Sequence, residues 1–513
     1  MKIVIIGSGI AGLTLGAYLS REGHKIKILE QFDEIGGVTA TIKQDGFEWD
    51  IGPLLLEGLG PNEPISNILN DLEINEKIPL VNEDRGLSTP DFQFWRPDKY
   101  QGLYWRREKL KELFPDQSEG LDRYYNFYLR VIKLSTLGKK IEQSSGIGKL
   151  LLKIKLILTV LPVKKMLNWN ASQVLDYFFT EQKIKGLFSG ILADFVVKTD
   201  EFFGLGIPMV NIETAFDKRI PLKIKKNTIQ TQYNYIIGGC GVLVNNLADL
   251  IKLNGGQIIT NSLVNKILIN EDNKAYGVSI NSGEKEMADL IIATGSAKNT
   301  LLNLISPDIL PDDFKNRVEN LPLMESVMMV HIGIDFDPTP YQRAALCYYY
   351  RTYNVDNAVD QTNKGIYHEG AHGFLIYVPS MHSPKMAPPN MHAVTVYTIA
   401  PNTLKSGDWT EQREEYADKL LAYAEEIIPG LREHIKTRII MTPDDFKKRI
   451  NVKHHSFGGS APKIGYPPVT YKTPIEGLWF AGCQSESTGG VANTMNGAKK
   501  LAKLLLKKFP GKK

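Results

Sequence analysis

Cysteine is scarce in this chain of 513 residues: Cys240, Cys347 and Cys483 stand singly, with no CxxC pair. That spacing argues against disulfides, thiolate metal sites and dithiol redox work, and no metal centre is expected. Charge of either sign is nearly cancelled, leaving a net +4. Neither a nucleic-acid motif, a low-complexity tract nor an internal repeat occurs, so nucleic acid is excluded as an expected partner. Long apolar runs are missing too. The greasiest stretch, GKLLLKIKLILTVLPVKKML, is interrupted by Lys153, Lys155 and Pro162, which speaks against a bilayer-spanning helix. The opening apolar run gives way at once to glycine, unlike a secretory leader. A cytoplasmic location is the simplest expectation.

What is present starts with KIVIIGSGIAGLTLGAYLSREGHKIKILEQ. Ile3 to Ile6 read as a buried parallel strand, and Gly7, Gly9 and Gly12 follow at the spacing that turns a strand into a helix. The first glycine permits the tight turn, the second lets a pyrophosphate approach the backbone, and the third lets helix and strand pack closely. A helix from Ala11 to Arg21 ends at Gly23, and a second strand, Lys25 to Leu29, delivers Glu30. An acid about 20 residues beyond the loop is placed to accept both hydroxyls of an adenosine ribose and to repel a 2′-phosphate. FAD and NAD both satisfy this unit. An ordinary strand-helix-strand unit without a ligand is the bland alternative, and the ordered recurrence of every part weighs against it.

The next segment, QFDEIGGVTATIKQDGFEWDIGP, adds the pair Gly36-Gly37 and a DxGP pattern at Asp50, Gly52 and Pro53. Glycine loop, acid, double glycine and DxGP together resemble the phytoene desaturase, carotenoid isomerase and retinol saturase group of FAD enzymes. YIIGGCGVLVNNLADLIKLNGGQIITNSLVNKILIN and GLWFAGCQSESTGGVANTMNGAKKLAKLL are similar to later segments of the same group. The resemblance implies FAD as cofactor, with the Val264 backbone at the adenine, Gly482 near the pyrophosphate or ribityl chain, and Gly490 and Val491 near the flavin ring. It adds Ile10, Ala11, Gln31, Val38, Ala293 and Cys483 to the candidate cofactor-binding set. Independently, a helix starting near Val491 offers about half a positive charge to the electron-rich edge of a reduced flavin. The sequence departs from the pattern at Val38 and Thr39, where many relatives carry arginine. It departs again at Cys483 and Gln484, where many carry an acid, and at Glu486 and Ser487, where desaturases carry His-Pro.

Length alone calls for two or three lobes. The expected fold is α/β: residues 1–60, 232–300 and 456–513 form a discontinuous Rossmann-like FAD-binding domain of glutathione-reductase type. Residues 61–231 read as a helical insert, and residues 301–455 as a substrate domain with an antiparallel or mixed sheet, from the alternation in SVMMVHIGIDF, HGFLIYVPS and MHAVTVYTIAP. The leucines and isoleucines near 150, flanked by Lys139, Lys140, Lys149, Lys164 and Lys165, suit a segment lying in a lipid interface as well as a buried helix. The resemblance favours the first, a peripheral contact at the cytoplasmic membrane face.

The function this implies is hydride transfer between FAD and a long hydrophobic isoprenoid or carotenoid-like lipid, foremost desaturation, then saturation or isomerisation. No second dinucleotide loop is present, so the redox partner is a quinone, oxygen or a separate reductase. Glu486 is the candidate acid or base, with capping of the next helix as its ordinary role. His454 and His455 follow as candidates, and Tyr348 to Tyr350 are candidates for lining an apolar tunnel. Two other classes share the architecture: a flavin amine oxidase, and a prenyl-lipid carrier similar to GDP-dissociation inhibitors.

Overall fold

A computed structural model describes residues 1–511 apart from Pro53, Lys226 and Asn227, so the proline of the DxGP pattern lies outside the described residues. The β-branched run Lys2–Ile6 is extended and occupies the centre of a five-stranded parallel sheet. Across this sheet the strands run Gln257–Ile259, Lys25–Leu29, Lys2–Ile6, Leu290–Ala293 and Leu478–Phe480. Three far-separated parts of the chain therefore meet side by side. Ile3, Val4 and Ile5 are buried on both faces, as an all-parallel sheet requires.

Helix Ile10–Arg21 is buried along nearly its whole length, between the sheet and helices Gly241–Leu253 and Val491–Lys508. Gly12 makes this closeness possible, because a Cβ there would stand 2.1 Å from the Gly7 carbonyl oxygen. A three-stranded antiparallel ribbon, Val264–Ile269, Ala275–Ile280 and Lys285–Met287, covers another part of the sheet.

The second sheet has seven strands, in the order Ile435–Met441, Ser326–Ile334, His392–Ala400, Gly373–Tyr377, Leu346–Tyr350, Arg85–Ser88 and Gln93–Phe94. It is mixed, since Arg85–Ser88 runs parallel to Leu346–Tyr350 while the other pairs are antiparallel. All nine residues of Ser326–Ile334 are buried. One face, with Met328, Val330 and Ile332, packs on helix Trp409–Glu425; the other, with Val327 and Met329, meets Leu54, Leu375 and Tyr397 on the cavity side.

The stretch read as a helical insert holds helices such as Ser118–Glu142 and Gly146–Val160. It also supplies the last two strands of the second sheet, Arg85–Ser88 and the edge strand Gln93–Phe94, so it is not helical throughout. Hydrophobic periodicity missed them because Arg85–Ser88 is too short to show alternation. No described helix is long and apolar enough to cross a membrane.

Candidate functional site

Where the first strand ends, Gly7 turns the chain at φ +97° and its amide donates to the Leu29 carbonyl. Gly36 donates to the Ser8 carbonyl at 3.0 Å, which draws the double glycine onto the first loop. Above these loops opens a cavity of about 380 Å³. Gly7, Gly9, Ile10, Ala11, Glu30, Gln31, Gly36, Gly37 and Val38 line it from one side. Val264, Gly482, Cys483, Gly490 and Val491 line it from the others.

Two expected residues do not reach this cavity. Gly12 lies beneath the loop and serves packing, as its contact with Gly7 shows. Ala293 is fully buried within the parallel sheet, and Thr294 and Gly295 take the cavity positions that follow it.

The cavity fits FAD by its donors. Helices Ile10–Arg21 and Val491–Lys508 both begin at a glycine, Gly9 and Gly490, with no side-chain cap and no acid in the first turn. Both glycines face open space where a Cβ would stand. Two positive helix ends with free amides thus open on one cavity, which suits a pyrophosphate at one and an electron-rich ring edge at the other. Glu30, almost wholly buried, is held in place by its own loop. Its Oε2 accepts from the Ser8 amide at 2.8 Å and the Ser8 hydroxyl at 2.7 Å, and its Oε1 accepts from the Phe32 amide at 3.0 Å. Each carboxylate oxygen keeps accepting capacity for ribose hydroxyls.

Sequence reading missed one cation here. Arg449, at the end of helix Pro443–Arg449, lines the cavity. Its Nε donates to the Gly37 carbonyl at 2.9 Å, its other arm meets Glu34 at 3.1 Å, and its guanidinium stacks over Phe32 at 4.7 Å. It supplies the positive charge at the double glycine that Val38 and Thr39 do not. A basic helix end in TPDDFKKRI was visible in the sequence, but nothing local tied it to Gly37.

The catalytic expectation is corrected. Glu486 is exposed, its Oε1 accepts from the Tyr471 amide at 2.7 Å, and it does not line the cavity. Its role is to fasten the loop before the last helix. His454 and His455 do line the cavity. His455 is buried, shares a 2.6 Å hydrogen bond with the Ser326 hydroxyl and stacks on Phe446. Burial lowers its pKa to about 3, so it stands there as a neutral group. His454 donates through Nε2 to the Met324 carbonyl at 2.8 Å, since a carbonyl oxygen only accepts. Burial raises the Cys483 thiol to about 11, which keeps it protonated.

A second chamber of about 150 Å³ shares Gly52 and Phe457 with the first. Leu54, Leu55, Leu346 and Leu375 give it apolar walls, while Arg85, Asp194, Tyr233, Tyr348 and Tyr397 bring polar atoms. Of the expected tunnel tyrosines, Tyr348 lines this chamber and, with Tyr350, a smaller one beyond it. Tyr349 points the other way, into the core, where its hydroxyl donates to Gln342 at 3.0 Å.

The comparisons with known proteins agree with this geometry. The description of flavin containing amine oxidoreductases matches residues 10–506. A Mus musculus protein, "Pyridine nucleotide-disulfide oxidoreductase domain-containing protein 2", is 24% identical over 95% of this chain and 90% of its own. A 4,4'-diapophytoene desaturase (4,4'-diaponeurosporene-forming) of Staphylococcus aureus is 24% identical over 97% of both chains. Among solved structures, an oxidoreductase from Methanosarcina mazei superposes with a TM-score of 0.60 at 19% identity, covering 98% of this chain and 100% of its own. At that identity the likeness speaks for the fold.

Proposed function

The chain belongs to the family of flavin containing amine oxidoreductases, and on that premise we propose that this FAD-dependent oxidoreductase desaturates a long isoprenoid lipid taken from a membrane surface. When bound, FAD would supply the two-electron acceptor. The uncapped helix ends, Glu30 and Arg449 hold and orient it, and the leucine-walled chamber beside Gly52 keeps an apolar chain dry and in place. Reoxidation would call for a quinone, oxygen or a separate reductase as the final electron acceptor.

The observation that carries the reading is the outer face of helix Gly146–Val160. Ile147, Leu150, Leu151, Ile154, Ile157, Leu158 and the following Leu161 are between 47% and 79% exposed, and Thr159 is the one residue of the helix that is buried. At 3.6 residues per turn these positions span about 120° of one face. Lys153 and Lys155 fall about 40° beyond its two edges. The two lysines therefore bracket the apolar stripe rather than interrupt it, with their ammonium groups free to reach anionic head groups. An exposed stripe of this size is unusual on a protein bathed only in water. The name of the Staphylococcus aureus relative, a desaturase, supports the same substrate class.

The test is anaerobic incubation of the purified flavoprotein with isoprenoid lipids in vesicles. Bleaching of the flavin bands, together with a product carrying an added double bond, is the expected result. A flavin that stays oxidised with every isoprenoid and bleaches with amines would replace this reading with an amine oxidase.

A further inference from the structure

We infer that the chamber beyond Gly52 and Phe457 binds a terminal carboxylate, held by Arg85, so that the lipid is an isoprenoid acid rather than a plain hydrocarbon. This rests on the isoprenoid reading above and narrows it.

Arg85 lies at the start of strand Arg85–Ser88 and is only 6% exposed. One arm of its guanidinium donates to the Val210 carbonyl at 3.0 Å. Its Nε is buried with no hydrogen-bond partner among the described residues; Asp194, in the same chamber, acts on the cation through space, but no direct ion pair joins Arg85 to a carboxylate among the described residues. Instead, three rings surround the cation: Phe216 at 4.8 Å, Tyr348 at 5.2 Å and Tyr233 at 5.7 Å. Aromatic faces soften the loss of water around a guanidinium, but they leave its donors unmet.

The other charged group of the chamber is already served. Asp194 accepts from the Tyr348 hydroxyl at 2.7 Å on one oxygen and from the Tyr397 hydroxyl at 3.2 Å on the other. What the chamber lacks is an acceptor for Arg85, and a carboxylate is the partner whose planar pair of oxygens best matches guanidinium donors. An amine would bring one more set of donors beside a guanidinium whose own Nε is unmatched. The chamber holds only about 150 Å³, room for the end of a chain. The chamber shares Gly52 and Phe457 with the larger cavity, which brings a chain end held at Arg85 next to the cofactor site.

The experiment titrates the flavin-loaded, full-length enzyme with geranylgeranoic acid, geranylgeraniol and the corresponding hydrocarbon in detergent micelles. Binding is read from the change in the visible flavin spectrum, with no turnover needed. The wild type should bind the acid about tenfold or more tighter than the hydrocarbon, with the alcohol between them. Arg85→Met should erase that preference while leaving the hydrocarbon affinity unchanged, and Arg85→Lys should keep part of it. Equal affinities in the wild type, no binding of the acid, or a preference that survives Arg85→Met would each overturn the assignment. The wild-type comparison decides the matter even if Arg85→Met fails to fold. Failure of the desaturase reading looks different: the acid binds through Arg85, yet no isoprenoid bleaches the flavin.

Discussion

Arg449 Nε lies 2.9 Å from the carbonyl oxygen of Gly37, a bond between residues 412 positions apart. It ties the end of a substrate-side helix to the glycine pair of the FAD cavity and places a cation where the local sequence has only Val38 and Thr39.

Arg449→Met should therefore weaken FAD binding by about ten- to a hundredfold, the loss of a charged hydrogen-bond donor worth about 1.5–3 kcal/mol. Titration of the apo-protein with FAD measures this. An unchanged Kd would reduce Arg449 to a strut between Glu34 and Phe32.

Glu30→Ala should lower flavin retention as well, because it removes the ribose acceptor and also the carboxylate that pins the Ser8 amide and hydroxyl. Flavin content of the purified variant checks this, and full occupancy would refute the assignment.

Glu486→Gln should leave the rate of anaerobic flavin reduction within about twofold of wild type, since surface substitutions away from a site carry small energies. A drop of several orders of magnitude would return Glu486 to the chemistry and require the loop it fastens to move.

Replacing Ile154 and Leu158 together with glutamate should abolish flotation with anionic vesicles. Both side chains are exposed, so the melting temperature should hold. Retained vesicle binding would move the membrane contact away from helix Gly146–Val160.

Burial holds His331 and His455 at about 3, against about 6.5 in an unfolded chain. Between those values the unfolded state takes up protons that the folded state refuses, so stability falls as pH drops through that window and is unaffected above it. Urea unfolding on both sides of the upper limit should show the decline, and His331→Gln, which cannot gain that proton, should shrink it. A variant with an undiminished decline would locate the effect in other groups.

The cofactor half of this protein was legible because its signals are local. Gly7, Gly9, Glu30, Gly36 and Gly37 lie within one short stretch, where backbone sterics and one strand-helix-strand unit fix their relation. For Gly146–Val160 the sequence left a lipid-facing segment and a buried helix equally open, and only the fold shows that its leucines are exposed. Glu486 misled because adjacency in sequence to a cofactor loop does not decide which way a side chain points, and here the Tyr471 amide captures it.

The sequence by itself determined the glycine loop and acid that receive an ADP moiety and the class of fold, and its resemblance to a group of FAD enzymes supplied the flavin. Only the tertiary structure decided that Arg449 meets Gly37, that the strand Arg85–Ser88 joins a sheet built mainly from residues far downstream, and that Arg85 is buried with its Nε unmatched. Those outcomes depend on sheet order and on packing between distant segments. No local propensity encodes them, because a buried charge acquires its meaning from what the fold places, or leaves out, beside it.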